Sequence, residues 1–143
     1  MSVRVISLHL LRVDDTGVPV IVSSARAPPR EEGTSWSTVT EGFTDEQVTE
    51  VVRRRVRLHF NNTGRIEFES AMAVFRVSLL DTMTLCIVAI TDSALPFPTA
   101  LDFINLVQDS VLVDSSWMTS LEKGEQLQDA MEPTFAQFIV SFY

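Results

Sequence analysis

The chain has 143 residues, of which 45% are hydrophobic and 21% charged, with only 5 Gly and 6 Pro. This length fits one domain, and the composition is typical of an ordered globular protein rather than a low-complexity chain. The formal net charge of -8 argues against binding to nucleic-acid backbones, which requires a basic surface that displaces counterions.

The sequence also argues against secretion and membrane insertion. It begins without the basic and apolar segments of a signal peptide, and no apolar run reaches the roughly 18 residues that span a bilayer. The single cysteine, Cys86, cannot form an internal disulfide and lies in an apolar run that predicts a buried, inert thiol. We therefore expect a cytoplasmic protein.

Residues 3–13 and 18–24 predict a β-hairpin. The first stretch is apolar on both parities, which indicates an interior strand covered on both faces. Residues 14–17 have turn chemistry, and Pro19 is tolerated in an edge strand. Residues 25–42, which contain two prolines and many small polar residues, predict a mobile loop.

A capping box predicts the start of a helix at Thr44. Its hydroxyl is expected to accept from an early helical amide, while the Gln47 side chain reaches back to the cap. Phe43 and Val48 occupy the positions of a hydrophobic staple. The apolar residues that follow recur at helical spacing and form one stripe: Val48, Val51, Val52, Val56 and Phe60. Asn61, Asn62 and Gly64 are expected to end this helix.

Three closely joined strands are predicted next, as an antiparallel meander. Apolar and acidic residues alternate over residues 65–70, with Ile66 and Phe68 on one face and acidic side chains on the other. One face is therefore expected to be wet, and the strand to lie toward an edge of the sheet. Residues 73–80 and 83–91 are more uniformly apolar and are expected to be covered on both faces.

Helices are predicted for the remainder. Pro98 suits the first turn of a helix whose apolar stripe extends to Val111. Residues 121–131 predict a weaker helix because they include Gly124. Pro133 is expected to separate this helix from a last short helix. The last helix has an apolar, largely aromatic face: Phe135, Phe138, Ile139 and Phe142. The order is summarised as two strands, a helix, three strands and two helices.

This order and two local segments resemble the longin domain family. CIVAITDSALPFPTALDFINLVQDSV, residues 86–111, resembles the longin segment in which an apolar strand ends in Thr-Asp and a short turn leads into a helix. FAQFIVSFY, residues 135–143, resembles the last longin helix with its repeating aromatics. The resemblance implies one domain over residues 1–143. Its fold would be α+β, a profilin-like three-layer arrangement of a five-stranded antiparallel sheet with helices on both faces.

The resemblance also implies a function. Longin domains are cytosolic, non-catalytic binding modules of membrane traffic, found in one class of SNARE and, in related form, in vesicle-coat adaptors and tethering complexes. It implies no enzyme activity, no cofactor and a cytoplasmic location at the periphery of endomembranes. The implied partners are a SNARE coiled-coil segment, a coat or tethering subunit, or a small GTPase.

In longin SNAREs, an apolar groove between the first helix and the adjacent strand binds the following coiled coil. The resemblance implies that this groove is lined here by Val48, Val51, Val52, Val56, Ile66 and Phe68. Most of the helix stripe is also expected to pack against the sheet. No SNARE segment or anchor occurs before Tyr143. A stand-alone protein, an associated subunit and a fragment all remain open.

Three further interpretations concern the basic residues, the two histidines and the function. Arg53, Arg54 and Arg57 could contact acidic lipids or an acidic partner, and the alternative is a solvated helix face. His9 and His59 have no Asp, Glu or Cys at metal-ligand spacing, so no metal site is predicted. The alternative function is a roadblock or profilin-like scaffold, or a tethering-complex subunit, that regulates a small GTPase. Roadblock domains begin with a helix, whereas this chain begins directly with a predicted strand.

Overall fold

The computed structural model describes residues 5–14, 16–27, 43–69 and 71–142. Its strands are β1 (Val5–Val13), β2 (Pro19–Arg26), β3 (Asn62–Glu67), β4 (Ala71–Leu79) and β5 (Thr84–Asp92). In the described ranges the helices are α1 (Asp45–Arg55), α2 (Phe97–Val113), α3 (Ser115–Glu122) and α4 (Gln128–Ser141). These elements confirm an α+β fold with three strands in succession after the first helix.

The five strands of the described residues form one antiparallel sheet in the order β2-β1-β5-β4-β3. β1 lies inside the sheet and β3 at its edge, as their apolar and alternating patterns predicted. Pro19 begins the other edge strand, β2, where a missing backbone N–H is tolerated.

Helices cover both faces of this sheet. Side chains alternate along a strand, so Ala73 and Ser78 of β4, five residues apart, point to opposite faces. Ala73 lines a small cavity together with Val51 of α1. The Ser78 hydroxyl instead donates a hydrogen bond to Gln108 of α2. α1 and α2 therefore pack against opposite faces.

Gln128, at the start of α4, completes the outer edge of β2. Its side-chain oxygen accepts from the backbone N–H of Ser24 at 2.7 Å, and its side-chain nitrogen donates to the Ser24 carbonyl at 2.8 Å. The amide thus replaces the backbone of a neighbouring strand, which leaves no unpaired peptide group at this point of the edge.

The first helix is shorter than predicted. It ends at Arg55 rather than Phe60, and β3 already begins at Asn62. Gly64, expected to end the helix, lies inside β3, where an added Cβ would stand 2.7 Å from the Phe75 ring. Pairing with β4 overrides the local turn propensity of this stretch, because tertiary context dominates weak propensities.

The predicted loop at 25–42 lies mostly outside the described residues. Where it is described, its start was placed too early. Ala25 and Arg26 belong to β2, and Ala27 is buried.

The C-terminal predictions at Gly124 and Pro133 were wrong. Gly124 follows α3 with a positive φ of 74°, as a residue that ends a helix. Pro133 lies inside α4 instead of preceding it. Met131, Phe135 and Ile139 on either side of it are fully buried, and their burial outweighs the one backbone hydrogen bond that a proline removes.

Candidate functional site

The six predicted groove residues divide into two groups. Four are buried in the hydrophobic core: Val48, Val52, Val56 and Ile66. Two are only partly buried: Val51 and Phe68. Only the second group is therefore available to a partner without unfolding the core.

Phe43 joins these two residues at the surface. It directly precedes the helix cap, and its ring lies edge-on to that of Phe68, with centroids 5.2 Å apart and an interplanar angle of 73°. We call Phe43, Val51 and Phe68 the α1–β3 seam. The sequence signal for Phe43 was its staple position, which was not connected with the groove.

Beneath the seam lies a cavity of about 10 Å³. Its lining residues are all apolar: Phe43, Val48, Val51, Phe68, Ala73, Val88 and Ile90. A space of this size holds at most one water molecule. A partner side chain can therefore rest on the seam, but it enters only if a seam ring moves.

A buried polar cluster, which sequence reasoning missed, attaches α1 to the sheet next to this seam. The two ring nitrogens of His9 hydrogen-bond to the hydroxyls of Ser24 and Ser7, each at 2.8 Å. Oδ1 of Asp45, the first residue of α1, lies 3.6 Å from Nδ1 of His9 and 3.1 Å from the Arg26 guanidinium. Polar residues in the apolar first two strands were the available signal.

Electrostatics keep this cluster in one protonation state at neutral pH. Burial lowers the pKa of His9, with Asp45 opposing and Arg26 adding to the effect. The polar groups around Asp45, His9 first and then Ser24 and Arg26, hold the pKa of its carboxylate well below the usual range. The cluster is therefore a neutral imidazole beside an ionised carboxylate.

Ser, His and Asp occur together in hydrolases, but this cluster lacks access to a substrate. His9 is 0% exposed, and the two serine hydroxyls belong to residues at most 3% exposed. A nucleophile must reach the reacting atom of a substrate. The cluster therefore joins α1 to the sheet, and its histidine and serine side chains are closed to solvent.

The three predicted arginines do not act as one free basic surface. Arg53 and Arg54 both pair with Glu50, the former at 2.6 Å between Nη2 and Oε2. These hydrogen bonds hold the pKa of Glu50 below its usual value. Arg57 is exposed and lies beyond the end of α1. Glu50 thus offsets part of the positive charge on this helix.

Two larger surface depressions lie elsewhere. One of about 430 Å³ lies beside β3, β4 and α2, and one of about 420 Å³ lies beside β2 and α4. In the first, Asn61 accepts from the backbone N–H of Leu79, and Gln108 accepts from Ser78. Polar groups here largely serve to join elements of the chain.

Over the described ranges, no group of three or more His, Cys, Asp and Glu side chains could hold a metal ion. Among those residues, no helix combines the length and the hydropathy that a membrane span requires. Cys86 is buried, as predicted, and burial raises the pKa of its thiol to about 12.

No protein-family model matches this chain, and no curated protein matches it.

Proposed function

We propose that this chain is a longin-like, non-catalytic interaction module of intracellular vesicle transport, which binds protein partners at the α1–β3 seam. The observation that carries the proposal is the element order. Within the described residues, two strands, one helix and three antiparallel strands precede the C-terminal helices. This is the order on which the resemblance to longin domains rests.

The chemistry of the seam supports the same proposal. Val51 and Phe68 are apolar and partly accessible, and they lie between the first helix and the end of β3. An amphipathic helix binds such a surface through apolar residues at helical spacing. The proposed partner is the apolar face of a coiled-coil segment from a SNARE, or a coat or tethering subunit, and endomembrane association follows from that partner.

The experiment compares two matched substitutions, Val51→Ser in the seam and Val113→Ser on α2. Val113 is 81% exposed, so its substitution controls for the loss of an apolar surface side chain. Binding of fluorescent SNARE, coat and tethering segments from the source organism is measured by anisotropy. We expect Val51→Ser to weaken binding about tenfold, equivalent to about 1.4 kcal/mol, and Val113→Ser to leave it unchanged.

Circular dichroism establishes that both variants are folded. Equal affinities for the two variants contradict the seam as the binding surface. Binding to a small GTPase, with no binding to any of these segments, favours the scaffold function instead.

A further inference from the structure

The outer edge of β3 is a second candidate surface, where no strand of the described residues pairs with the backbone. β3 pairs with β4 on one side, and within the described ranges no strand pairs with its other side. The opposite edge of the sheet differs, because Gln128 hydrogen-bonds to both backbone groups of Ser24 in β2. Exposed strand edges are templates for pairing with another strand.

The register shows which residues direct their backbone outward. The N–H of Phe68 donates to the carbonyl of Ala71 at 2.9 Å, and these residues are direct partners in the hairpin. Hydrogen-bonded and non-hydrogen-bonded pairs alternate in an antiparallel ladder. The even-numbered residues of β3 therefore bond to β4, and the odd-numbered residues direct their N–H and C=O groups outward: Thr63, Arg65 and Glu67.

We propose that this edge pairs with the same edge of a second copy of the chain. The two sheets then form one antiparallel sheet about a twofold axis at Ile66. In this register Arg65 of each copy lies opposite the partner's Glu67. Within one copy, Arg65 Nε lies 3.8 Å from Glu67 Oε2, and the two side chains remain 51% and 72% exposed to a second copy.

Charge selects this register over its neighbours. A shift that places Arg65 opposite Arg65, or Glu67 opposite Glu67, brings like charges together across the strands, which is unfavourable. The direction of the backbone N–H and C=O groups is compatible with the same register. Arg65 and Glu67 both direct their peptide groups outward, so each cross-copy pair exchanges two backbone hydrogen bonds.

The resulting interface is small, since each copy contributes one strand of 6 residues. Interfaces below about 1,200 Å² belong to weak, transient complexes. Exposed ion pairs are also screened by salt. We therefore expect a dimer that forms reversibly at high protein concentration and dissociates as salt is added.

Sedimentation velocity on the full chain tests this from about 1 µM to about 1 mM, the range in which weak interfaces associate. The variants are Arg65→Glu and Glu67→Arg, alone and mixed in equal amounts. We expect each variant alone to require at least about tenfold more protein to dimerise, because like charges then face each other. We expect the mixture to restore association, because two acidic positions of one copy face two basic positions of the other.

The control is Arg55→Glu, which makes the same charge change at an exposed position of α1. It is expected to dimerise like the unsubstituted chain. Val51→Ser is also expected to dimerise like the unsubstituted chain, which would show that the β3 edge and not the seam forms the dimer. A chain that stays monomeric throughout, or a dimer indifferent to both β3 substitutions, overturns the proposal. Restoration by mixing Arg65→Glu with the unsubstituted chain instead overturns the register.

Discussion

At the scale of single residues, Ser23 and Ser24 show how surroundings determine the role of a side chain. They are adjacent in β2 and both buried, at 0% and 3% exposure. Because they point to opposite faces, only Ser24 reaches His9. The Ser23 hydroxyl is the one buried side-chain polar atom of the described residues without a hydrogen-bond partner. The same buried hydroxyl group is therefore destabilising at Ser23 and stabilising at Ser24.

We expect Ser23→Ala to raise the free energy of unfolding by about 1 kcal/mol, because it removes an unpaired buried hydroxyl. Ser24→Ala is the matched variant, and it should lower that free energy by about 1 kcal/mol because it removes a hydrogen-bond partner of buried His9. Urea denaturation measures both. Destabilisation by Ser23→Ala equal to that by Ser24→Ala contradicts this account.

At the scale of elements, α1 is held at its N-terminus by two sets of hydrogen bonds. The predicted capping box is confirmed, with Thr44 N–H donating to Gln47 Oε1 at 2.9 Å and Gln47 N–H donating to Thr44 Oγ1 at 3.2 Å. The buried cluster around His9 then joins the first residue of α1, Asp45, to the sheet. Phe43 of the seam lies two residues before Asp45 and therefore close to this attachment.

The His9 cluster makes stability depend on pH. Above the ordinary histidine pKa of 6.5, His9 is neutral in the folded and unfolded states. Below it, the unfolded chain takes up a proton that the buried ring resists, because its pKa is lowered, so stability falls as pH falls. The Asp45 contribution is present above its ordinary value of 3.8 and is lost only in more acidic solution.

Urea midpoints at about pH 7.5 and about pH 5.5 bracket the histidine transition. We expect a lower midpoint at the acidic pH, and a smaller difference for His9→Gln, which does not titrate. His59→Gln is the control, since His59 is the other histidine of the chain and is exposed. If the pH difference disappears with His59→Gln and persists with His9→Gln, the pH dependence of stability belongs to His59 and not to His9.

At the scale of the whole molecule, β5 is the centre of the structure. It lies between β1 and β4 in the sheet, and Cys86 within it is 0% exposed. Helices on both faces and strands on both sides separate this residue from solvent. Exposure of Cys86 therefore reports opening of the domain as a whole.

We expect Cys86 to resist maleimide at about pH 8 in the folded state and to react once urea unfolds the chain, because the thiolate is the nucleophile. Burial raises the pKa of this thiol from 9.0 to about 12. That change alone lowers the fraction of reactive thiolate about a thousandfold. Mass spectrometry measures labelling against urea concentration. Rapid labelling without urea contradicts a closed core around β5.

Predictions based on the spacing of residues were confirmed where the local structure depends mainly on neighbours in the chain. The cap at Thr44 and the wet face of β3 depend on residues close together in the chain. Predictions at Phe60 and Pro133 failed because long-range pairing and burial decided those positions. The binding role of the groove residues stays a prediction, although Val51 and Val52 now differ in accessibility.

The sequence alone determined the α+β mixture of elements, the start of α1 and the interior position of β1. Each follows from composition or from the spacing of neighbours. Tertiary structure alone decided that His9 lies beside Asp45, and that Val51 is accessible while Val52 is buried. It also decided the two edges of the sheet. Gln128 hydrogen-bonds to the edge of β2, whereas the outer side of β3 has no strand partner in the described residues. The physical reason is that burial and hydrogen bonding depend on residues brought together from distant segments.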